Sequence, residues 1–130
     1  MDRKSFFVLV LLAGVGVFVS GCLVAAVGVG AAGTVAYVKG DLEAVEAAKL
    51  DNVYKATEKA LDALELKVIE KRKDELSGKF IVRDAQDKKI TIGLTATAEG
   101  TTKLSIRVGL FGSEEKSRLI YEKIKENLKK

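Results

Sequence analysis

Between Ser5 and Val38 the chain carries no charged residue, and from Lys39 to its last residue charges recur every few positions. A division this sharp splits the 130 residues into an apolar N-terminal tract and a charged, soluble-looking domain of about 90 residues. A domain of that size buries only a thin core. The net charge of +4 is spread through interleaved stretches such as EKRKDE (70–75) and EKIKENLKK (122–130). Interleaving marks a solvated surface rather than a nucleic-acid face, so no nucleic-acid partner is expected. The mild positive balance does suit an anionic lipid surface beneath a tethered domain.

The tract has the parts of a targeting segment. Arg3 and Lys4 form a positive start, FFVLVLLAGVGVFV (6–19) an apolar core, and Ser20 and Gly21 are small residues ahead of Cys22, the sole cysteine. Val19-Ser20-Gly21-Cys22 resembles the bacterial lipobox. In lipoproteins of that class the Cys thiol receives a diacylglyceryl group, a signal peptidase cuts just before it, and the new N-terminus is acylated. The resemblance implies a signal peptide over 1–21, acylation at Cys22 and membrane lipid as the first partner. Several acyl chains are physically reasonable, because each buried CH₂ contributes roughly 0.8 kcal/mol and a single chain holds only marginally. Leu23, where an Asp would favour inner-membrane retention in that class, implies the outer membrane, facing the periplasm. The competing reading is a membrane-spanning helix that contains a cysteine.

Gly28, Gly30 and Gly33 in GVGAAG fit the G-x-G-x-x-G of a dinucleotide-binding turn. That motif has meaning only between a buried strand and a helix. After cleavage only Leu23 to Val27 would precede it, which leaves no room for that strand, so no cofactor is expected. LVAAVGVGAAGTVAYV (23–38) reads instead as an apolar spacer within a segment 22–39. As a helix its 16 residues would reach about 24 Å, short of the roughly 30 Å hydrocarbon core. Gly28, Ala32 and Ala36 would then form a small-xxx-small row able to bring copies of the chain together.

In the domain assigned to 40–130, two runs alternate with period 2: KITIGLTATA (89–98) and TKLSIRVGLF (102–111). With Glu99-Gly100-Thr101 between them they predict a hairpin, with Leu104, Ile106, Val108 and Leu110 on the inner face of its second strand. LKVIEKR (66–72) and GKFIVRDA (78–85) are shorter strand candidates. Val53, Thr57, Ala60, Leu61 and Leu64 follow helical spacing behind Asp51 as N-cap. Ile120, Ile124 and Leu128 do so behind Ser113, with Glu114 and Glu115 in the first turn. GDLEAVEAAKL (40–50) reads as helix by propensity, although a sheet could use it as a strand. The expected fold is α+β: an antiparallel sheet of four to five strands with two helices on one face, in the order (β)αβββ(β)α. The lipobox, a Gly/Ala tract ending in AYVKGDLE, the helix opening near LDNVYKAT, and SIRVGLFGSEEKSRLIYEKI together resemble a family of small bacterial lipoproteins of unknown function. The resemblance implies the α+β fold and the tether, with no activity attached; in that family the segment after Gly40 is a strand.

Chemistry finds little purchase. The chain has no histidine, its one thiol is assigned to lipid, and a zinc site needs Cys or His. Glu43, Glu46, Asp51, Asp74, Asp84 and Asp87 show no spacing that would collect them, and Asp84 with Asp87 has the residues of a turn. No catalytic, cofactor-binding or metal-ligating residue is therefore assigned, and the protein is not expected to be an enzyme. Phe111, flanked by Gly109 and Gly112, falls on the polar side of its strand. It either covers the start of the second helix or contacts a partner. Two functions follow. The chain is a lipid-anchored module binding an envelope protein or wall polymer, or it is a structural membrane component that self-associates through 23–38.

Overall fold

A computed structural model describes residues 34–97 and 100–129. The residues of the lipobox reading (Val19, Ser20, Gly21, Cys22) and of the glycine motif (Gly28, Gly30, Gly33) lie outside the described residues.

Six strands and two helices make the domain: β1 (Val35–Val38), β2 (Asp41–Glu46), α1 (Leu50–Ala63), β3 (Lys67–Lys73), β4 (Ser77–Arg83), β5 (Lys89–Ala96), β6 (Thr102–Val108) and α2 (Glu114–Leu128). The strands form one antiparallel sheet in the order β1-β2-β6-β5-β4-β3. The α+β class and the antiparallel sheet hold, with one or two more strands than expected and the order ββαββββα.

The register explains the core. Leu42, Ile106, Ile92 and Phe80 lie in one cross-strand row, and Val108, Ile90 and Val82 in the next. All are essentially solvent-free, because period-2 alternation sends every one of them to the same face. The helices cover that face. Val53, Thr57, Ala60 and Leu61 of α1 and Ile120, Tyr121 and Ile124 of α2 close the core. At Gly78 a side chain would meet the Tyr54 ring at 3.0 Å; its absence lets that ring stack on Phe80, with centroids 4.6 Å apart. The opposite face of the sheet, with Thr91, Gly93 and Ser105 near its centre, is partly exposed among the described residues.

Several expectations are corrected. The sheet reaches back to Val35, inside the tract assigned to the spacer. Thr34 already accepts a hydrogen bond from the Val45 N–H at 3.2 Å. Ala36, the third member of the small-residue row, is therefore an exposed strand residue and not part of a helix. The first half of the ambiguous 40–50 segment is strand β2. Its Leu42 and Ala44 are buried between two partner strands, and that packing overrides the helix propensity of Leu, Glu and Ala. Asp51 is not the N-cap of α1. Leu50 is buried and draws the helix start back, so Lys49 takes the cap position with no side-chain cap. Asp51 instead pairs with Lys73 Nζ on β3 at 2.5 Å, which lowers its pKa. Ser113 does cap α2, accepting from the Lys116 N–H at 3.4 Å. Lastly β6 ends at Val108, so Leu110 is not on the inner face but 77% exposed.

The two sheet edges differ. β3 is charged along its length and interrupted by a bulge between Val68 and Glu70, both of which deter further strand pairing. β1 is four uncharged residues.

Candidate functional site

Two turns meet at the end of the sheet where β1 passes into β2 and β6 leaves for α2. The first, Lys39-Gly40, has positive φ at both residues (52° and 89°), as a two-residue type I′ hairpin loop requires. The second is bracketed by Gly109 and Gly112, at φ 71° and 83°. Here glycine is obligatory for a second reason. A Cβ on Gly112 would lie 2.3 Å from the Gly40 carbonyl oxygen and 2.6 Å from its Cα. The two turns touch backbone to backbone.

Arg107 holds them in that contact. Its guanidinium donates to the Lys39 carbonyl at 3.1 Å, to Asp41 Oδ1 at 3.0 Å and to the Leu110 carbonyl at 2.7 Å. The planar fork suits three fixed acceptors in a way that a lysine ammonium on a flexible stem does not. The other side of the site is pinned by Lys116, whose Nζ bonds Asp84 Oδ2 at 3.1 Å and Gln86 Oε1 at 2.9 Å. Asp84 in turn accepts the Lys88 and Gln86 N–H groups, at 2.8 and 2.9 Å. The Lys88 N–H, followed by Lys116 and Gln86, holds the Asp84 carboxyl below the ordinary aspartate range.

On this braced base stand Leu110 and Phe111, the latter 88% exposed, with Val38 half exposed beside the first turn. Phe111 does not cover the start of α2, because the positive φ of Gly109 turns the chain off the strand before Phe111 is reached. Adjacent large apolar side chains, exposed and immobilised at their backbone, are what a partner's pocket would bury. Phe111 is thus the one site residue singled out from sequence that lies among the described residues. Its neighbours Val38, Gly40, Arg107 and Leu110 were not linked to it by sequence. The signal available was GLFG itself, two glycines bracketing two apolar residues, which marks a turn rather than the end of a strand.

The arrangement offers an apolar contact surface. Among the described residues no group of three or more His, Cys, Asp or Glu side chains is placed to hold a metal ion. No helix among them is long and apolar enough to cross a membrane.

No curated protein matches the chain. Residues 5–127 match one family, described as a protein of unknown function (DUF3568), so the match takes in the N-terminal tract, both turns of the site and the two helices. The chain therefore belongs to the DUF3568 family of proteins of unknown function.

Proposed function

We propose that the protein is a lipid-anchored component of the bacterial cell envelope, acylated at Cys22 and facing the periplasm from the outer membrane. In this reading its domain is a non-catalytic module that binds an envelope protein or wall polymer through the Leu110–Phe111 tip. One observation carries the binding role: a pair of exposed apolar side chains on a backbone that Arg107 and two glycine contacts hold rigid. The tether reading rests on the lipobox pattern of residues 19–22. The tip and the first described residue lie at opposite ends of the sheet. β2 runs from Asp41 beside the tip to Glu46 at the far end, about 17 Å away. Thr34, where the preceding chain joins the domain, pairs with Val45 at that far end.

Two measurements test this. The intact mass of membrane-extracted protein should begin at residue 22 with acyl chains attached, and Cys22→Ser should retain its signal segment. A photo-crosslinking residue at position 111 of the full chain should then give discrete adducts in the envelope, whereas the same residue at exposed Glu75 should not. Equal labelling from both positions would end the assignment of the tip.

A further inference from the structure

The charges that interleave in sequence do not interleave in space. Antiparallel packing of the helices sets the first half of α1 against the end of α2, and a cleft of about 500 Å³ opens between them. Lys55 and Lys59 line it from α1, Lys125 from α2 and Lys129 from the C-cap of α2, together with Asn52 and Asn127. Each lysine pair is spaced i, i+4, so both members stand on the same side of their helix. None of the four makes an ion pair among the described residues. The one acid lining the cleft, Glu46, is already engaged by the Tyr121 hydroxyl. Burial, and then that hydrogen bond, raise the Tyr121 pKa, so the phenol stays a donor to Glu46. The positive N-terminus of α1 and the negative C-terminus of α2 lie side by side, so their dipoles oppose and the lysines set the sign. The floor is apolar, formed by Ala48, Ala56 and Leu128.

We infer that this cleft binds the phosphodiester headgroup of an anionic phospholipid. Four ammonium groups without an ion pair among the described residues, that of Lys125 lying 5.4 Å from the centroid of the Tyr121 ring, stand beside a small apolar lining and match a phosphate joined to the start of its acyl chains. The apolar part of the lining decides the source, because a free phosphate has no hydrocarbon to set against it. The lining includes Glu46, Ala47 and Ala48, at the end of β2 where Thr34 pairs and the preceding chain joins the domain. The assignment rests on the lipid-anchored reading proposed above, in which anionic phospholipid is within reach of the domain. The tip of Phe111, at the opposite end, is left free.

The test is an amide-shift titration by NMR on the full-length chain in zwitterionic phosphocholine micelles. Soluble dihexanoyl phosphatidylglycerol should shift the amides of residues 52–59 and 125–129 to saturation. Dihexanoyl phosphatidylcholine should leave them in place, and so should inorganic phosphate at equal concentration. Lys55→Ala combined with Lys125→Ala should weaken the phosphatidylglycerol response about thirtyfold, since each lysine near an anionic surface contributes a similar increment. Lys79→Ala with Lys89→Ala, the same charge change on other surfaces, should leave it within about twofold. A matching thermal melt establishes that each variant is folded. No shift at the cleft, an equal response to phosphatidylcholine, or equal loss in both double variants would overturn the site. An equal response to inorganic phosphate would overturn the lipid assignment. Because the titrated lipid is soluble, the result does not depend on Cys22 acylation, and the mass measurement above fails or succeeds separately.

Discussion

Replacing Gly112 by Ala tests the architecture beneath the tip. At φ 83° an alanine occupies the left-handed region, which costs roughly 1–2 kcal/mol for a residue with a Cβ. Its Cβ would also sit 2.3 Å from the Gly40 carbonyl oxygen and 2.6 Å from Gly40 Cα. These are backbone atoms and cannot swing aside as a side chain would. Relief requires one turn to move off the other, away from the Lys39 and Leu110 carbonyls that Arg107 bridges. Overpacking of this kind costs about 1–3 kcal/mol. Together the two effects predict a loss of about 3 kcal/mol, or roughly 12–24 °C in Tm for a domain near 100 residues. Thermal unfolding of the full chain in zwitterionic micelles, followed by far-ultraviolet circular dichroism, reads it directly. Gly93→Ala is the control. A Cβ there meets nothing within 4 Å and the φ is ordinary, so that change should be neutral or stabilise by about 0.4–1 kcal/mol. If Gly112→Ala melts with the unmodified chain, the two turns do not touch as described. If both variants lose stability alike, the effect belongs to glycine replacement in general and not to this contact.

Phe80→Ala should cost about 3–5 kcal/mol in urea unfolding, because the ring is solvent-free and stacked on Tyr54; a cost under about 1 kcal/mol would mean the core is not packed around it. Ser117 buries a hydroxyl with no hydrogen-bond partner among the described residues, so Ser117→Ala should raise stability by about 1 kcal/mol, and a loss would reveal a partner for that hydroxyl. Since the fold lowers the Asp84 pKa, its contribution is fully present above the ordinary aspartate value near pH 4 and drains away as the pH falls below it. Asp84→Asn should accordingly flatten the acid limb of Tm against pH below about 4, and an unchanged limb would count against the Lys88–Lys116 cage.

The strands read most easily from sequence are those with two partners. β4, β5 and β6 bury one face completely, so Phe80, Ile92 and Ile106 recur with the period the pleat imposes. β1 was illegible for the converse reason. Val35–Val38 is too short to show a period, and VAYV continues an uncharged run that begins at Ser5. In β2 the pattern was present, Leu42 and Ala44 between Asp41, Glu43 and Val45, but Leu, Glu and Ala also form helices well. Only the pairing with β1 and β6 settles the choice. The same limit applies to the ends of elements. Asp51 looked like a cap because caps are judged from local chemistry, and what moved the helix start was the burial of Leu50 against the distant sheet.

The two surfaces proposed to bind are hidden in the sequence in different ways. For the tip, the informative residue was visible and its setting was not. Phe111 stands out between two glycines, but the period-2 alternation continues in sequence through Gly109 and predicts Leu110 as a core residue, whereas the strand ends at Val108. Arg107 could not be connected to it, because the acceptors it bridges come from Lys39 and Asp41, far away in the chain. For the lysine cleft nothing stood out at all. Lys55 and Lys59 alternate with acids and alanines, Lys125 and Lys129 with Glu126 and Asn127, and interleaving of this kind along the chain marks a solvated surface. On a helix, however, a one-dimensional mixture is sorted by angle. Residues four apart share a side, and Glu58 and Glu126, adjacent in sequence to members of the cluster, turn away to pair with Lys71 and Lys123. Charge order along the chain therefore excludes a charged patch only where no helix sorts the charges. In this domain both helices do, and they gather the sorted lysines at the end that the N-terminal tract joins.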